Sequence, residues 1–281
     1  MSASLVGSEM CIRDRIYSFF DYRIGYKLST CEFVGLDNFR YVFGDPYILK
    51  VIGNTLIISL AGLLGLPLAG MIAILLSEVR GRMFKKTVQT AITIPNFISW
   101  IIIYSIMFSL FSNDGLLTTV IRGITGETEA TTTLLTNPNT AKLFMILTNI
   151  WKTVGYNSII FFAAITGIDS QLYDAAAVDG AGRWKKMLHI TIPGMLPTLI
   201  TLLIISIGAI LNNGFEQYYV FVNPMIQEKM EVLDYYVYRI GMLNNDIPAS
   251  TAVSMVKTFI SVGLVFGVNK LSKKTLGQSI L

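Results

Sequence analysis

The chain has 281 residues, 53% of them hydrophobic and 14% charged, with a formal charge of +4 and a mean hydropathy of +0.58. Soluble domains carry about 25% charged residues, so these figures exclude an ordinary cytosolic enzyme and point to lipid as the surrounding medium. Two cysteines, Cys11 and Cys31, and the single His189 suggest neither a disulfide framework nor a histidine-rich metal centre.

At the N-terminus, Met1–Arg15 (MSASLVGSEMCIRDR) lacks the basic region and apolar core of a signal peptide. It reads either as a non-native scar or as a short genuine tail, and it is set aside from the fold. Residues 16–50 form a mixed segment ahead of the first apolar run. Five runs then approach or exceed the roughly 20 apolar residues that a membrane helix needs: Val51–Ser77, Thr90–Ser112, Ala141–Ile168, Met195–Val222 and Ala249–Val268. Backbone groups in lipid must be satisfied within the segment, so the runs are helices. The expected fold is an all-α polytopic bundle over 51–268, with a tail at 269–281. Ala61, Gly65, Ala69 and Ala73, and the Gly263/Gly267 pair, suit close helix packing, and Pro67 is expected to kink its helix.

Orientation follows from Lys and Arg in the short loops. Ten basic residues lie on one side: Arg80, Arg82, Lys85 and Lys86 after the first run, Arg183, Lys185 and Lys186 after the third, and Lys270, Lys273 and Lys274 after the fifth. The opposite loops hold Arg122, Lys229 and Arg239. The ten-residue side, with the C-terminus, is therefore expected in the cytoplasm. Residues 16–50 then fall outside despite Arg23, Lys27, Arg40 and Lys50, a conflict that a further helix upstream would remove.

The cytoplasmic loop Asp169–Pro193 reads DSQLYDAAAVDGAGRWKKMLHITIP. Asp169 or Ser170 can cap a short helix, Ala175, Ala176 and Ala177 are strong helix formers of small bulk, and Gly180 suits a left-handed helix end. A second amphipathic helix is expected from Arg183, stopping before Pro193. Such a helix–turn–helix either presents a close-approach surface to a partner or is a plain connection drawn to anionic lipid. His189 has no neighbouring Cys, Glu or second His at ligand spacing, so no metal site is expected. Thr131–Thr133 reads as solvated linker.

D-A-A-A-V-D-G-A-G followed by I-T-I-P resembles the EAA loop of binding-protein-dependent ABC importer permeases, with Ala175, Ala176, Gly180, Ile190 and Pro193 matching. Asp174 stands in place of the usual Glu, and Met187 where an aromatic residue is frequent. NTLIISL (Asn54–Leu60), SEVRGRMFKKTVQT (Ser77–Thr90), IPNFISW (Ile94–Trp100), GFEQYYVFVNP (Gly214–Pro224), DYYVYRIGM (Asp234–Met242) and VNKLSKK (Val268–Lys274) are similar to the branch that imports oligosaccharides, especially polysaccharide-derived fragments. The resemblance covers about Ile16 to the C-terminus and implies a six-span permease, of which five spans stand here, consistent with a shortened front.

This resemblance implies an inner-membrane subunit that is not an enzyme and that assembles with a second permease, P-loop ATPase subunits and an extracytoplasmic sugar-binding lipoprotein. No nucleic-acid partner is implied. No G-x-x-x-x-G-K-[ST] occurs in the chain, so the phosphate-cradling loop is absent; ATP and Mg are expected on the partner, with no cofactor here. ATPase coupling falls to Asp174, Ala175, Ala176, Ala177, Asp179 and Gly180. Charged groups within spans are costly and often functional, and sugars need polar groups and aromatic faces. Lys152, Asn157, Asn213, Glu216, Gln217, Tyr218 and Lys257 are therefore pathway candidates, although Lys152 and Glu216 can also snorkel to an interface or pair structurally. An ATP-independent secondary transporter or channel is the alternative, but the matching broken repeats it would carry are not evident.

Overall fold

A computed structural model describes residues 15–112, 115–125 and 135–276; residues 1–14 and Thr131–Thr133 lie outside the described residues. Among the described residues the architecture is helical, with a lone antiparallel bridge between Phe20 and Phe33. The helices used below are α1 (Asp37–Gly44), α2 (Pro46–Gly62), α3 (Gly65–Glu78), α4 (Arg82–Phe97), α5 (Trp100–Phe111), α6 (Leu116–Thr125), α7 (Ala141–Thr166), α8 (Ser170–Val178), α9 (Arg183–Lys186), α10 (Ile192–Gly208), α11 (Phe215–Phe221), α12 (Gln227–Met230), α13 (Leu233–Tyr238) and α14 (Ile247–Leu276).

Among the described residues, four stretches are long and apolar enough to cross a membrane: Pro46–Glu78, Trp100–Val120, Arg183–Gly208 and Ile247–Lys274. The remaining long helix, α7, has 26 residues and so extends about 39 Å at 1.5 Å per residue. Asn149, Lys152, Thr153, Asn157 and Ser158 in its middle make it more polar than the other four.

Three expected boundaries are corrected. The second run does not begin at Thr90: α4 ends at Phe97 and a new helix starts at Trp100. Pro95 in the last turn of α4 donates no backbone bond, and Arg82, Lys85 and Lys86 give the start of α4 a charged face. The fourth run does not continue to Val222, because its helix ends at Gly208 and α11 begins after Asn212–Asn213–Gly214. Counting apolar residues bridges this short polar break; backbone geometry does not.

The third correction concerns the helix from Arg183, which does not stop before Pro193. It passes through a π-helical turn, Met187–Thr191, directly into α10. A proline ring crowds the carbonyl four residues earlier. The wider turn, in which the Ile192 N–H donates to the Met187 carbonyl, accommodates Pro193 without ending the helix. Just before Pro67 the chain tightens between α2 and α3, with Leu64 and Leu66 donating to the carbonyls of Ala61 and Leu63 at 3.1 Å each.

The chain divides into two compact units. The first comprises Met1–Ser59, Phe108–Lys142 and Ala209–Leu264; the second comprises Leu60–Met107, Leu143–Gly208 and Val265–Leu281. In the first unit, Ile48 and Val51 of α2 pack with Leu211, Leu233, Tyr236 and Val253. In the second, Ala69 and Ala73 of α3 are fully buried against Phe161, Ile165 and Met195, which fulfils part of the small-residue stripe. Gly155 brings α7 onto the backbone of α4, since a Cβ there would run into the Ile92 carbonyl. Gly263 and Gly267 meet no atom within 4 Å of where a Cβ would stand.

Candidate functional site

The loop of the second unit folds as its residues dictate. The Asp169 carboxylate accepts from the Gln171 N–H at 2.9 Å and caps α8. At the other end Gly180 adopts φ +72°, and the N–H groups of Gly180 and Ala181 donate to the carbonyls of Ala177 and Ala176 at 3.1 and 2.9 Å. This double closure is the Schellman arrangement, which favours glycine at its left-handed position. The result is a fixed corner after α8.

Asp174, Ala175, Ala177, Asp179 and Gly180 are exposed and Ala176 is half-buried. The apolar character of this surface is supplied mostly by residues that the sequence did not single out. Val178 is 89% exposed and Trp184 75%, with Leu172 also open. These exposed apolar side chains lie on α8 and on α9 after it. Trp184, Arg183 and Met187 further line a cavity of about 240 Å³ with Ile74, Leu75 and Glu78 of α3. The Tyr173 hydroxyl lies 3.0 Å from Thr191 Oγ1, joining α8 to the helix that continues into α10.

A partly buried polar network occupies the first unit. Lys257 of α14 pairs with Asp234 of α13, whose other carboxylate oxygen accepts from the Asn213 N–H at 2.9 Å. Asn213 Nδ2 donates to the Thr55 carbonyl at 3.2 Å, and Ser59 contacts both the Asn213 side chain and the Ile210 carbonyl. Thr55 Oγ1 accepts from the Leu233 N–H at 2.9 Å. Irregular backbone at Ile210–Gly214 thus finds partners inside the protein, as non-helical chain in an apolar setting requires. Thr55, Ser59 and Asp234 were not expected in this role. The i,i+4 spacing of Thr55 and Ser59, which places both on one helix face, was the available signal.

The other pathway candidates are distributed between the units. Lys152 is 8% exposed, and its ammonium donates to the Pro95 and Asn96 carbonyls at 3.0 and 3.1 Å and also to that of Ile98, with the Trp100 ring 5.2 Å away. A cation on the last carbonyls of a helix is electrostatically favoured, so Lys152 is the cap of α4. Asn157 is half-buried and Glu216 exposed, whereas Gln217 and Tyr218 are each 1% exposed. The accessible aromatic surface beside them comes instead from Tyr219, tilted against Phe215 and edge-on to Tyr238 at ring separations of 5.0 and 5.4 Å.

Nearby in the same unit, Glu231 is fully buried. It receives Arg239 Nε at 2.6 Å and Nη2 at 3.3 Å, Gln227 at 3.2 Å and the Tyr47 hydroxyl. At the surface, a hydrogen bond from the Lys50 ammonium holds the Glu228 carboxyl below its ordinary range.

Apolar helices of membrane length, a capped surface loop leading directly into one of them, and a polar network at a helix break define a membrane transport component. Comparison with known proteins specifies it. Residues 49–273 match the family described as binding-protein-dependent transport system inner membrane component. Two relatives from Bacillus subtilis (strain 168) are Protein LplB, 37% identical over 92% of this chain and 81% of that one, and the polygalacturonan/rhamnogalacturonan transport system permease protein YteP, 39% identical over 92% and 80%. A chain of a bacterial ABC transporter involved in import of the acidic polysaccharide alginate superimposes with a TM-score of 0.84, at 30% identity over 95% of this chain and 90% of that one. The chain belongs to the binding-protein-dependent transport system inner membrane component family: it is a multi-pass permease subunit of an ABC importer and not an enzyme.

Proposed function

We propose that this permease imports oligosaccharides released from polysaccharides and that α8 transmits the work of a separate ATPase to the spans. The observation carrying this reading is the exposed surface of α8, closed by the Gly180 corner and joined through Tyr173 and Thr191 to the helix entering α10. Asp174, Ala175, Ala176, Ala177 and Asp179 form the contact, with Val178 and Trp184 adding apolar area. Small side chains let the partner's groove approach the helix closely, and the corner resists bending when pushed. Nucleotide binding by the ATPase pair then tilts the spans, and the pathway opens alternately to either side.

In this reading the loop and the C-terminus face the cytoplasm, ATP and Mg are bound by the partner, a second permease completes the pathway, and an external sugar-binding lipoprotein delivers substrate. The polysaccharide fragments handled by relatives such as YteP support the substrate class. Asn157, Asn213 and Glu216 supply polar groups to the pathway, and the Tyr219 cluster supplies a stacking face. Lys257 and Lys152 order the protein through Asp234 and the α4 carbonyls. Buried Gln217 and Tyr218 hold α11.

The test is an affinity pull-down of tagged protein from gently solubilised host membranes, combined with uptake of labelled oligosaccharides. Recovery of a P-loop ATPase and a second permease, with the ATPase lost in Gly180→Leu, supports the coupling surface. Normal ATPase recovery and normal uptake by that variant would overturn it.

A further inference from the structure

The first unit contains a concavity of about 300 Å³, apart from the Asp234 network, at the lower end of the size range of small-ligand pockets (about 300–1,000 Å³). Its walls are Tyr47 and Tyr236, its rim includes Tyr41, and Arg239, Asp45 and Asp246 contribute polar groups. Helix α13 thus serves two aromatic surfaces: Tyr238 joins the Phe215 and Tyr219 cluster, and Tyr236 borders this cavity.

The cavity is chemically specific. Arg239 is fixed by buried Glu231 through Nε and Nη2, and its guanidinium lies 5.7 and 5.3 Å from the ring centres of Tyr47 and Tyr236. Its Nη1 makes no hydrogen bond among the described residues, so two N–H donors are unspent. Asp45 and Asp246 each commit one oxygen to a backbone N–H, of Tyr47 at 2.8 Å and of Ala249 at 3.0 Å, and each retains a second acceptor oxygen. Neither pairs with a cation among the described residues. Burial, reinforced by the Asp45 charge, pushes the Tyr236 phenol up, so it remains a neutral donor at physiological pH.

We infer that this cavity is a subsite for one uncharged sugar ring of the transported oligosaccharide. A sugar hydroxyl both donates and accepts, which matches carboxylate oxygens set beside an unspent guanidinium nitrogen, and aromatic walls suit the C–H face of the ring. Charge decides against a uronate: Glu231 cancels Arg239, leaving the two aspartates to make the cavity negative and repel a carboxylated sugar. The inference rests on the importer reading above and deepens it, because it selects substrates that carry a neutral unit.

The test uses the assembled importer, without its binding lipoprotein, in lipid nanodiscs, together with uptake assays on the same variants. Saturation-transfer NMR is recorded with methyl β-glucopyranoside and methyl β-glucopyranosiduronate at neutral pH. The expected result is transfer to the glucoside and little to the glucuronide. Tyr41→Ala and Asn244→Ala, two exposed positions lining the cavity, should weaken glucoside binding at least fivefold and raise the KM for uptake with kcat unchanged. Tyr26→Ala, at an exposed tyrosine that does not line the cavity, should leave the glucoside signal intact. A transporting complex whose glucoside signal is absent, or is unaffected by the two cavity variants, overturns the subsite while the importer stands. Equal or stronger glucuronide binding also overturns it. A complex that fails to transport or to retain an ATPase overturns the reading beneath it, and the subsite with it.

Discussion

The Tyr173 hydroxyl and Thr191 Oγ1 lie 3.0 Å apart, joining the capped helix α8 to the π-helical turn that feeds α10. Neutral hydrogen bonds of this kind contribute about 0.5–1.5 kcal/mol, enough to bias a joint between two rigid helices without deciding whether the protein folds. In the proposed coupling, this contact makes α8 and the start of the span move together.

Tyr173→Phe should therefore leave insertion and assembly unchanged, lower substrate-stimulated ATP hydrolysis several-fold and spare basal hydrolysis. Thr191→Ser keeps the hydroxyl and should restore most of the coupling, whereas Thr191→Val should not. The ratio of stimulated to basal hydrolysis in reconstituted complex reads the effect. An unchanged ratio in both Tyr173→Phe and Thr191→Val would remove the joint from the mechanism.

At Gly180 the backbone is left-handed at φ +72°. A side chain there costs about 1–2 kcal/mol, with asparagine tolerated best. Uptake is expected to fall in the order Gly180, Gly180→Asn, Gly180→Ala, Gly180→Leu at equal membrane abundance. Equal uptake by all four would show that the corner does not matter.

Lys152 spends its ammonium on the carbonyl end of α4. Lys152→Met leaves those carbonyls without that donor, at a cost of about 1–3 kcal/mol for a buried unmet group. Thermal unfolding in detergent should occur several degrees lower. Uptake of neutral and acidic oligosaccharides should fall by the same factor, since the charge orders a helix end rather than facing substrate. A selective loss of acidic substrates would return Lys152 to the pathway.

Gly155→Ala places a methyl group against the Ile92 carbonyl and should destabilise the fold by about 1–3 kcal/mol, the usual cost of overpacking. Gly263→Ala meets open space and should be neutral in the isolated chain. Unfolding followed by tryptophan fluorescence compares the two, and equal stability of both variants would contradict the α4–α7 crossing.

Runs of apolar residues determined that this chain enters a membrane as helices, because lipid accepts no backbone whose hydrogen bonds are unmet. Local chemistry determined the ends of α8, since Asp169 and Gly180 act on atoms only a few residues away. Hydropathy did not locate the breaks at Ile98–Ser99 and Asn212–Gly214, because a window of 20 residues averages over a three-residue interruption. The uses of Lys152 and Lys257 were hidden for a different reason: a lysine in an apolar run has the same sequence signature whether it faces a substrate, a carboxylate or a helix end. Only the tertiary structure brought Lys152 onto carbonyls more than 50 residues away and Lys257 onto Asp234, because electrostatic partnership depends on separation in space and not along the chain.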